Sequence, residues 1–260
     1  MRARHGEPRG DATADDSSLL VLAFHRVVAR RERDHDLSWT AFVNFLDRIA
    51  EGHEFVAALD PMPAGRKIVL SFDDATSDHA HVGDELARRD LAGLFFVPSG
   101  RLGSPGHLTV AELLQLQSHG HTIGSHGVTH RLLDALPPGE LTHELEASKA
   151  DLERILGIGV SYFAPPGGVA ARGLDALLEQ RGYRASRSMR WGIYTSERDR
   201  WEIPVLPVTE LTVQRGWLDD ALAMWRVPTI MRAVSAGRRL APATLRPRLR
   251  SVVHRLSPRS

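Results

Sequence analysis

The chain has 260 residues, of which 42% are hydrophobic and 25% are charged, as is usual for a globular protein. It contains no cysteine, which excludes disulfides, thiolate metal ligands and cysteine nucleophiles. The net charge of +1 conceals two different parts. Residues 221–260 hold nine arginines and no acidic residue, whereas residues 1–220 hold 24 basic and 32 acidic residues, a net charge of −8.

Three regions follow from composition. Residues 1–18 are polar and lack the apolar stretch of a secretory signal, so we expect a disordered lead segment of a cytoplasmic protein. Residues 19–214 carry regular hydrophobic patterns and form the expected domain. Residues 215–260 form a basic extension, and its arginines could lie on an anionic membrane surface, which would suit a lipid-linked substrate. A solvated extension is the alternative, and no nucleic-acid recognition motif accompanies the tail.

Short apolar segments separated by turn residues predict seven strands. They cover residues 19–24, 67–71, 91–97, 122–125, 160–164, 183–189 and 203–208. Helical patterns lie between most of them, at residues 39–51, 81–89, 110–119, 138–156 and 172–181. This repeated strand–helix order is typical of an α/β fold with a parallel sheet. About seven units without a linker favour a (β/α)-barrel over two domains.

The clearest chemical signals follow two predicted strands. Asp73 and Asp74 come directly after one strand, and His126 and His130 come after another. Catalytic residues of parallel barrels collect at these carboxyl ends. Two imidazoles at i, i+4 spacing with one carboxylate form a usual catalytic zinc set with an open position for water.

Adjacent aspartates on an extended chain point in different directions. One can therefore bind the metal while the other acts as general base on the bound water. The metal would lower the pKa of that water towards about 7 and polarise the acyl oxygen of an amide. The alternatives are a helix N-cap for the aspartates and two surface histidines on a turn.

Four segments carry a resemblance to a known family. Residues 71–74 (SFDD) and 123–130 (IGSHGVTH) resemble the first two motifs of the polysaccharide deacetylases, the chitooligosaccharide-deacetylase homology domain of carbohydrate esterase family four. Residues 23–27 (AFHRV) resemble the first strand of many bacterial members, and residues 163–168 (FAPPGG) resemble a variant of the third motif.

The resemblance implies a distorted (β/α)-barrel and a divalent ion, commonly Zn²⁺. It implies hydrolysis of the linear amide C–N bond of an N-acetylated, or otherwise N-acylated, saccharide of a polysaccharide or glycoconjugate. By motif position, Asp73 is the base, and Asp74, His126 and His130 are the metal ligands. The backbone N–H of Gly167 stands where the family stabilises the oxyanion, a role that needs no side chain.

The chain also departs from the family pattern. Ala75 stands where the family usually has Gly, and Ala164 stands where many members have the arginine that orients the base. The late Leu-x-His motif, which supplies the general acid, has no clear match. His25 is the candidate replacement, because the first and last strands are neighbours in a closed barrel. Its alternative role is a backbone bond at the strand end.

Two other functions remain open at this stage. The missing acid and arginine would also fit a non-catalytic barrel that binds a glycan or a protein partner, and an amidase could act on a non-sugar amide. His79, His81, His119 and His121 are expected to be solvated.

Overall fold

The structure is a computed structural model that describes residues 17–214 together with residues 216 and 222. Within that part of the chain, the strands are β1 (Ser18–Phe24), β2 (Val27–Val28), β3 (Leu37–Ser38), β4 (Glu54–Phe55), β5 (Arg66–Asp73), β6 (Gly93–Val97), β7 (Thr122–Ser125), β8 (Tyr162–Phe163), β9 (Ala185–Trp191), β10 (Tyr194–Thr195) and β11 (Ile203–Pro207). The α-helices are α1 (Trp39–Ala50), α2 (His79–Arg88), α3 (Val110–Ser118), α4 (Pro138–Leu156), α5 (Leu174–Gln180) and α6 (Glu210–Gln214).

Seven parallel strands close into a barrel. The order around the ring is β1, β11, β9, β8, β7, β6 and β5, and parallel pairing of β5 with β1 completes it. The short strands β4 and β10 add to β5 and β1 at the edge, and β10 is antiparallel. Helices follow most of the barrel strands in the chain. The predicted distorted (β/α)-barrel of about seven parallel strands is therefore confirmed.

Alternation along the strands separates the two sides of the barrel wall. On β1, Leu19, Val21 and Ala23 belong to the interior cluster that also contains Val69 and Phe96. The intervening residues pack outward against the helices and against neighbouring strands. Phe24 illustrates this, since its ring centroid lies 5.6 Å from that of Phe42 on α1 and 4.9 Å from that of Phe72 on β5.

Some sequence boundaries were wrong by a few residues. β6 begins at Gly93 rather than at residue 91, and β8 has only two residues. α5 begins at Leu174 instead of residue 172, because Gly173 adopts a left-handed conformation with φ of 72°. β1 starts at Ser18, one residue before the predicted domain.

The two terminal segments fall largely outside the described residues. This applies to the lead at residues 1–16 and to nearly all of the basic extension, so their predicted character stays a prediction. None of the helices among the described residues has both the length and the apolarity needed to span a membrane.

Candidate metal centre and active site

The two aspartates at the end of β5 point to different places. Asp73 is the last residue of the strand and is 2% exposed. It continues the interior-facing positions Val69 and Ser71, because side chains alternate along a strand. Asp74 lies just beyond the strand with φ of 77°, followed by Ala75 with φ of 50°. This left-handed turn directs the second carboxylate away from the first.

Asp74, His126 and His130 converge on one point. Oδ1 of Asp74 lies 2.8 Å from Nε2 of His130 and 3.4 Å from Nε2 of His126. One ligand atom from each of the three residues lies within 4.8 Å of the other two. The structure thus brings together the three predicted ligands, from the loops after β5 and β7.

The donor set fits a divalent cation. Two imidazoles and one carboxylate form the usual three-residue set of a catalytic zinc site. Oδ1 of Asp74 is buried and receives no well-aligned hydrogen bond from the described residues, as expected for an oxygen whose partner is an ion. Burial alone would raise the pKa of Asp74, but the adjacent His126 and His130 hold that pKa far below its usual range.

His126 is fixed by a backbone contact on its other nitrogen. Its Nδ1 lies 2.6 Å from the carbonyl oxygen of Ala164, and the side chain is buried. A carbonyl can only accept, so Nδ1 carries the proton and donates it. In the neutral imidazole this leaves the lone pair on Nε2, which faces Asp74, and this is the arrangement that metal-binding histidines generally show.

The loop that carries both histidines is held by Glu144, a buried residue of α4. Its Oε2 accepts hydrogen bonds from the backbone N–H groups of Val128 and Thr129, at 2.6 and 3.0 Å. Its Oε1 accepts from the hydroxyl of Thr129. Gly127 passes so close that a Cβ there would lie 2.7 Å from Oε2 of Glu144. Gly127 also has a φ of 77°, which favours glycine, and a side chain at this position would displace the Glu144 carboxylate.

Backbone strain is concentrated at this centre. Among the described residues, four non-glycine residues have positive φ, and three of them are Asp74, Ala75 and His130. Such conformations cost about 1–3 kcal/mol each and persist where the surroundings enforce them. A positive φ favours glycine, which is the residue that the family resemblance expects where this chain has Ala75.

Asp73 is held by Arg187, a residue for which the sequence patterns predicted no role. Nη2 of Arg187 on β9 forms an ion pair with Oδ1 of Asp73 inside the barrel. Arg187 is 1% exposed, and its guanidinium lies 5.0 Å from the ring centroid of Phe96. Burial alone would raise the pKa of Asp73, but Arg187, followed by His126 and His25, outweighs this and lowers it. Asp73 is therefore an ionised carboxylate at neutral pH.

His25 lies near the other oxygen of the same carboxylate. Its Nε2 is 3.8 Å from Oδ2 of Asp73, and 28% of its side chain is exposed. Burial lowers the pKa of His25 below 6.5, against the opposing effect of Asp73. β11, which pairs with β1, ends in Leu206-Pro207 and continues to Val208, so no histidine comes from that strand.

The loop after β5 anchors the segment that carries His25. Nε2 of His79 donates to the carbonyl oxygen of His25 at 2.6 Å, and Oδ2 of Asp78 accepts from the backbone N–H of Val27 at 2.7 Å. His79 is fully buried and His121 is 4% exposed, so the expectation that both are solvated was wrong. Each bonds a carbonyl, His121 that of Gly83 at 3.0 Å.

Gly167 lies in the turn after β8, with φ of 65°. It is exposed, and a Cβ at this position would lie 2.7 Å from Leu132, two residues after His130. The turn thus neighbours the metal-binding loop. The oxyanion role of Gly167 stays a prediction.

A family model matches the central part of the chain. The family model described as "Polysaccharide deacetylase" matches residues 61–186, which include Asp73, Asp74, His126 and His130. This segment is similar to the polysaccharide deacetylase family. The resemblance inferred from the motifs is therefore confirmed.

The similarity to curated proteins is distant in sequence. "Putative polysaccharide deacetylase YxkH" of Bacillus subtilis is 20% identical over 180 residues, 66% of this chain and 64% of that protein. The chain thus spans less than two thirds of the length of the curated relatives it matches.

Solved deacetylase structures share the fold. The Streptococcus pyogenes deacetylase PplD in complex with acetate superposes with a TM-score of 0.71 at 19% identity, covering 78% of this chain and 97% of that one. IcaB from Ammonifex degensii gives a TM-score of 0.66 at 23% identity, covering 80% and 97%. At these identities the likeness concerns the barrel alone.

Proposed function

We propose that the protein is a metal-dependent hydrolase that removes an N-acetyl or other small acyl group from a sugar of a polysaccharide or glycoconjugate. The observation that carries the proposal is the convergence of Asp74, His126 and His130 beside a second carboxylate, Asp73, that is free of the cluster. A structural ion would need no such spare base, whereas hydrolysis does.

The three converging residues would hold the ion, with Zn²⁺ as the proposed metal because imidazole nitrogen and carboxylate oxygen suit it. When bound, the ion supplies Lewis acidity, which polarises an acyl oxygen and makes a water molecule more acidic. Nε2 of His126 is available for this task because its Nδ1–H donates to Ala164.

Asp73 is proposed as the general base. Its carboxylate is ionised, buried and fixed by Arg187, so it can accept the proton of an attacking water without first rearranging. Water oxygen then forms a bond to the acyl carbon, and the backbone N–H of Gly167 is the proposed donor to the resulting oxyanion.

His25 is proposed as the general acid. The C–N bond breaks only when the leaving nitrogen receives a proton, because an amide anion is too basic to leave. Nε2 of His25, 3.8 Å from Oδ2 of Asp73, is the proposed source of this proton. Its lowered pKa makes the protonated form scarce at neutral pH, which is the basis of a pH prediction below.

A non-catalytic barrel is the weaker alternative. This alternative is based on two departures from the family pattern, namely the missing arginine at position 164 and the missing histidine of the late Leu-x-His motif. Arg187 makes the contact to the base that Ala164 cannot make, so one of the two signs of lost activity has another explanation.

Acetate release tests the proposal. The protein should release acetate from at least one member of a panel of N-acetylhexosamine oligomers and glycosides, and a chelator should stop the release until Zn²⁺ is restored. Asp73→Asn should be inactive on the same panel. Mass analysis of products from simple formamides and acetamides tests the non-sugar amidase. Absence of hydrolysis of every sugar substrate by the zinc-loaded protein would overturn the proposal.

A further inference from the structure

A large cavity adjoins the candidate metal centre. Its volume is about 930 Å³, and Asp74 contributes to its lining. Such a volume is at the upper end of the 300–1,000 Å³ range of small-molecule sites, so there is room for more than one acylated sugar ring. Trp39, which is partly exposed, also lines this cavity and offers an apolar face to a ring.

The wall of this cavity, called here the basic cavity, carries an excess of unpaired positive groups. Arg33 comes from the loop between β2 and β3, and Arg101 from the turn after β6. Among the described residues, neither guanidinium has a carboxylate partner within 4.0 Å; Arg101 reaches only the carbonyl of Thr129, at 3.4 Å. His81 and His107 line the same cavity.

The acidic residues of the basic cavity are already engaged. Glu32 pairs with Arg26, whose side chain also reaches Asp36. Asp78 accepts the backbone N–H of Val27, and Asp74 belongs to the metal cluster. The cavity therefore has spare cationic donors, although residues 1–220 as a whole have a net charge of −8. A neutral saccharide would leave both arginines without a partner.

We propose, on the basis of the deacetylase function above, that the substrate is an N-acylated sugar bearing a phosphate group, which Arg33 and Arg101 bind. Two guanidinium groups from separate loops line the same cavity, and a phosphate has several acceptor oxygens with which both can form charge-assisted hydrogen bonds. The phosphate lies in the basic cavity while the acyl group reaches Asp74. Phosphorylated glycans and lipid-phosphate-linked sugars share this chemistry.

Substrate competition tests the proposal first. N-Acetylglucosamine 1-phosphate should be deacetylated with a kcat/KM at least ten-fold above that of methyl N-acetylglucosaminide, and the advantage should shrink as salt screens the charges. In the Arg33→Gln/Arg101→Gln double variant this advantage should be lost, so that the two substrates have similar kcat/KM values. Arg154→Gln on α4, 71% exposed and outside the cavity lining, is the matched control.

A phosphorylated chitooligosaccharide and a polyprenyl-phosphate-linked N-acetylglucosamine separate the two sources. Faster turnover of either one than of its phosphate-free counterpart supports the proposal and identifies the source. Equal or slower turnover of every phosphorylated substrate overturns it, and so does a matching preference for a uronate-bearing sugar that lacks phosphate.

A binding measurement separates this inference from the deacetylase function. Glucose 1-phosphate has no acyl group, so calorimetry with it needs no catalysis. Each lost charge-assisted contact should weaken binding about ten-fold, and the double variant should therefore bind about 100-fold more weakly than Arg154→Gln. Binding without any deacetylation would refute only the proposed function. Deacetylation of neutral sugars with unchanged glucose 1-phosphate binding in the double variant would refute only the phosphate site.

Discussion

Arg187 on β9 pairs with Asp73 on β5 across the interior of the barrel, and it does so from the register position next to Ala164. β8 and β9 pair through Tyr162 with Ala185 and through Phe163 with Ser186. Continuing this register by one residue sets Ala164 opposite Arg187. An arginine on the adjacent strand thus contacts Asp73, whereas the family resemblance expects one at position 164.

Removal of this arginine should abolish most turnover without removing the metal. Arg187→Ala leaves Asp73 as an unpaired buried carboxylate, whose pKa then rises because burial is no longer opposed by the guanidinium. We expect kcat to fall about 100-fold, the size of effect seen when a reacting group is misplaced by 1 Å. We also expect about 3–5 kcal/mol less free energy of unfolding. Arg190→Ala on the same strand, 59% exposed, is the control.

Moving the arginine from position 187 to position 164 tests whether it can hold Asp73 from either strand. Ala164→Arg combined with Arg187→Ala should recover part of both the kcat and the melting temperature lost in Arg187→Ala. The side chain would start from the neighbouring register position and enter the space that Arg187 vacates. No recovery in the swapped variant, despite normal folding, would mean that Arg187 does more than hold Asp73.

The two aspartates should separate metal binding from turnover. Asp73→Asn keeps the cluster of Asp74, His126 and His130 intact, so the zinc content should stay at the wild-type level while acetate release disappears. His130→Ala removes one of the three ligands and should lower the zinc content itself. Metal analysis after dialysis against a weak chelator distinguishes the two results. Equal zinc in His130→Ala and in the wild type would exclude the proposed ligand set.

Glu144 should control the metal through the loop between its ligands. Glu144→Ala removes the acceptor for two backbone N–H groups and a hydroxyl at Val128 and Thr129. Outer-shell changes of this kind typically weaken metal binding 10–100-fold, and zinc titration would measure it. Glu146→Ala on the same helix, with its side chain 58% exposed, serves as the control. An unaltered zinc affinity would show that the loop holds its shape unaided.

Sequence patterns predicted the architecture and the metal ligands better than the residues that hold the site in place. Apolar segments at strand spacing gave the seven-stranded barrel, and the His-x-x-x-His spacing with the aspartate pair placed Asp74, His126 and His130. The two charged residues that hold the site were not predicted, because each occupies a position where the periodic pattern of its element predicts a buried apolar side chain. Glu144 occupies the buried face of α4, and Arg187 the interior face of β9. A charged residue at a position predicted to be buried was the signal in the sequence that could have indicated their role.

Long-range contacts could not be read from the sequence in the same way. His79 looked like a solvated residue at a helix start, yet it is buried against Phe72 and Phe95 and bonds the carbonyl of His25. That contact joins segments 54 residues apart, and only closure of the barrel between β5 and β1 brings them together. Periodicity reports which face is buried, but not which distant group it meets.

The pH dependence of kcat/KM should reveal whether His25 donates a proton. The donating form is the imidazolium, and burial places the pKa of His25 below 6.5. As pH rises through that pKa the donor is lost, so the rate should fall above it and the optimum should be acidic. Asp73 does not limit the rate in this range, since its pKa is lowered and it stays ionised.

His25→Gln should flatten the descending limb of the pH profile and reduce kcat by about 100–10,000-fold, the usual contribution of a general acid. His143→Gln, at an exposed histidine of α4 outside the cavity lining, is the control and should keep the limb. A wild-type rate that still rises between pH 6.5 and 8 would rule out a pre-protonated His25 as the acid.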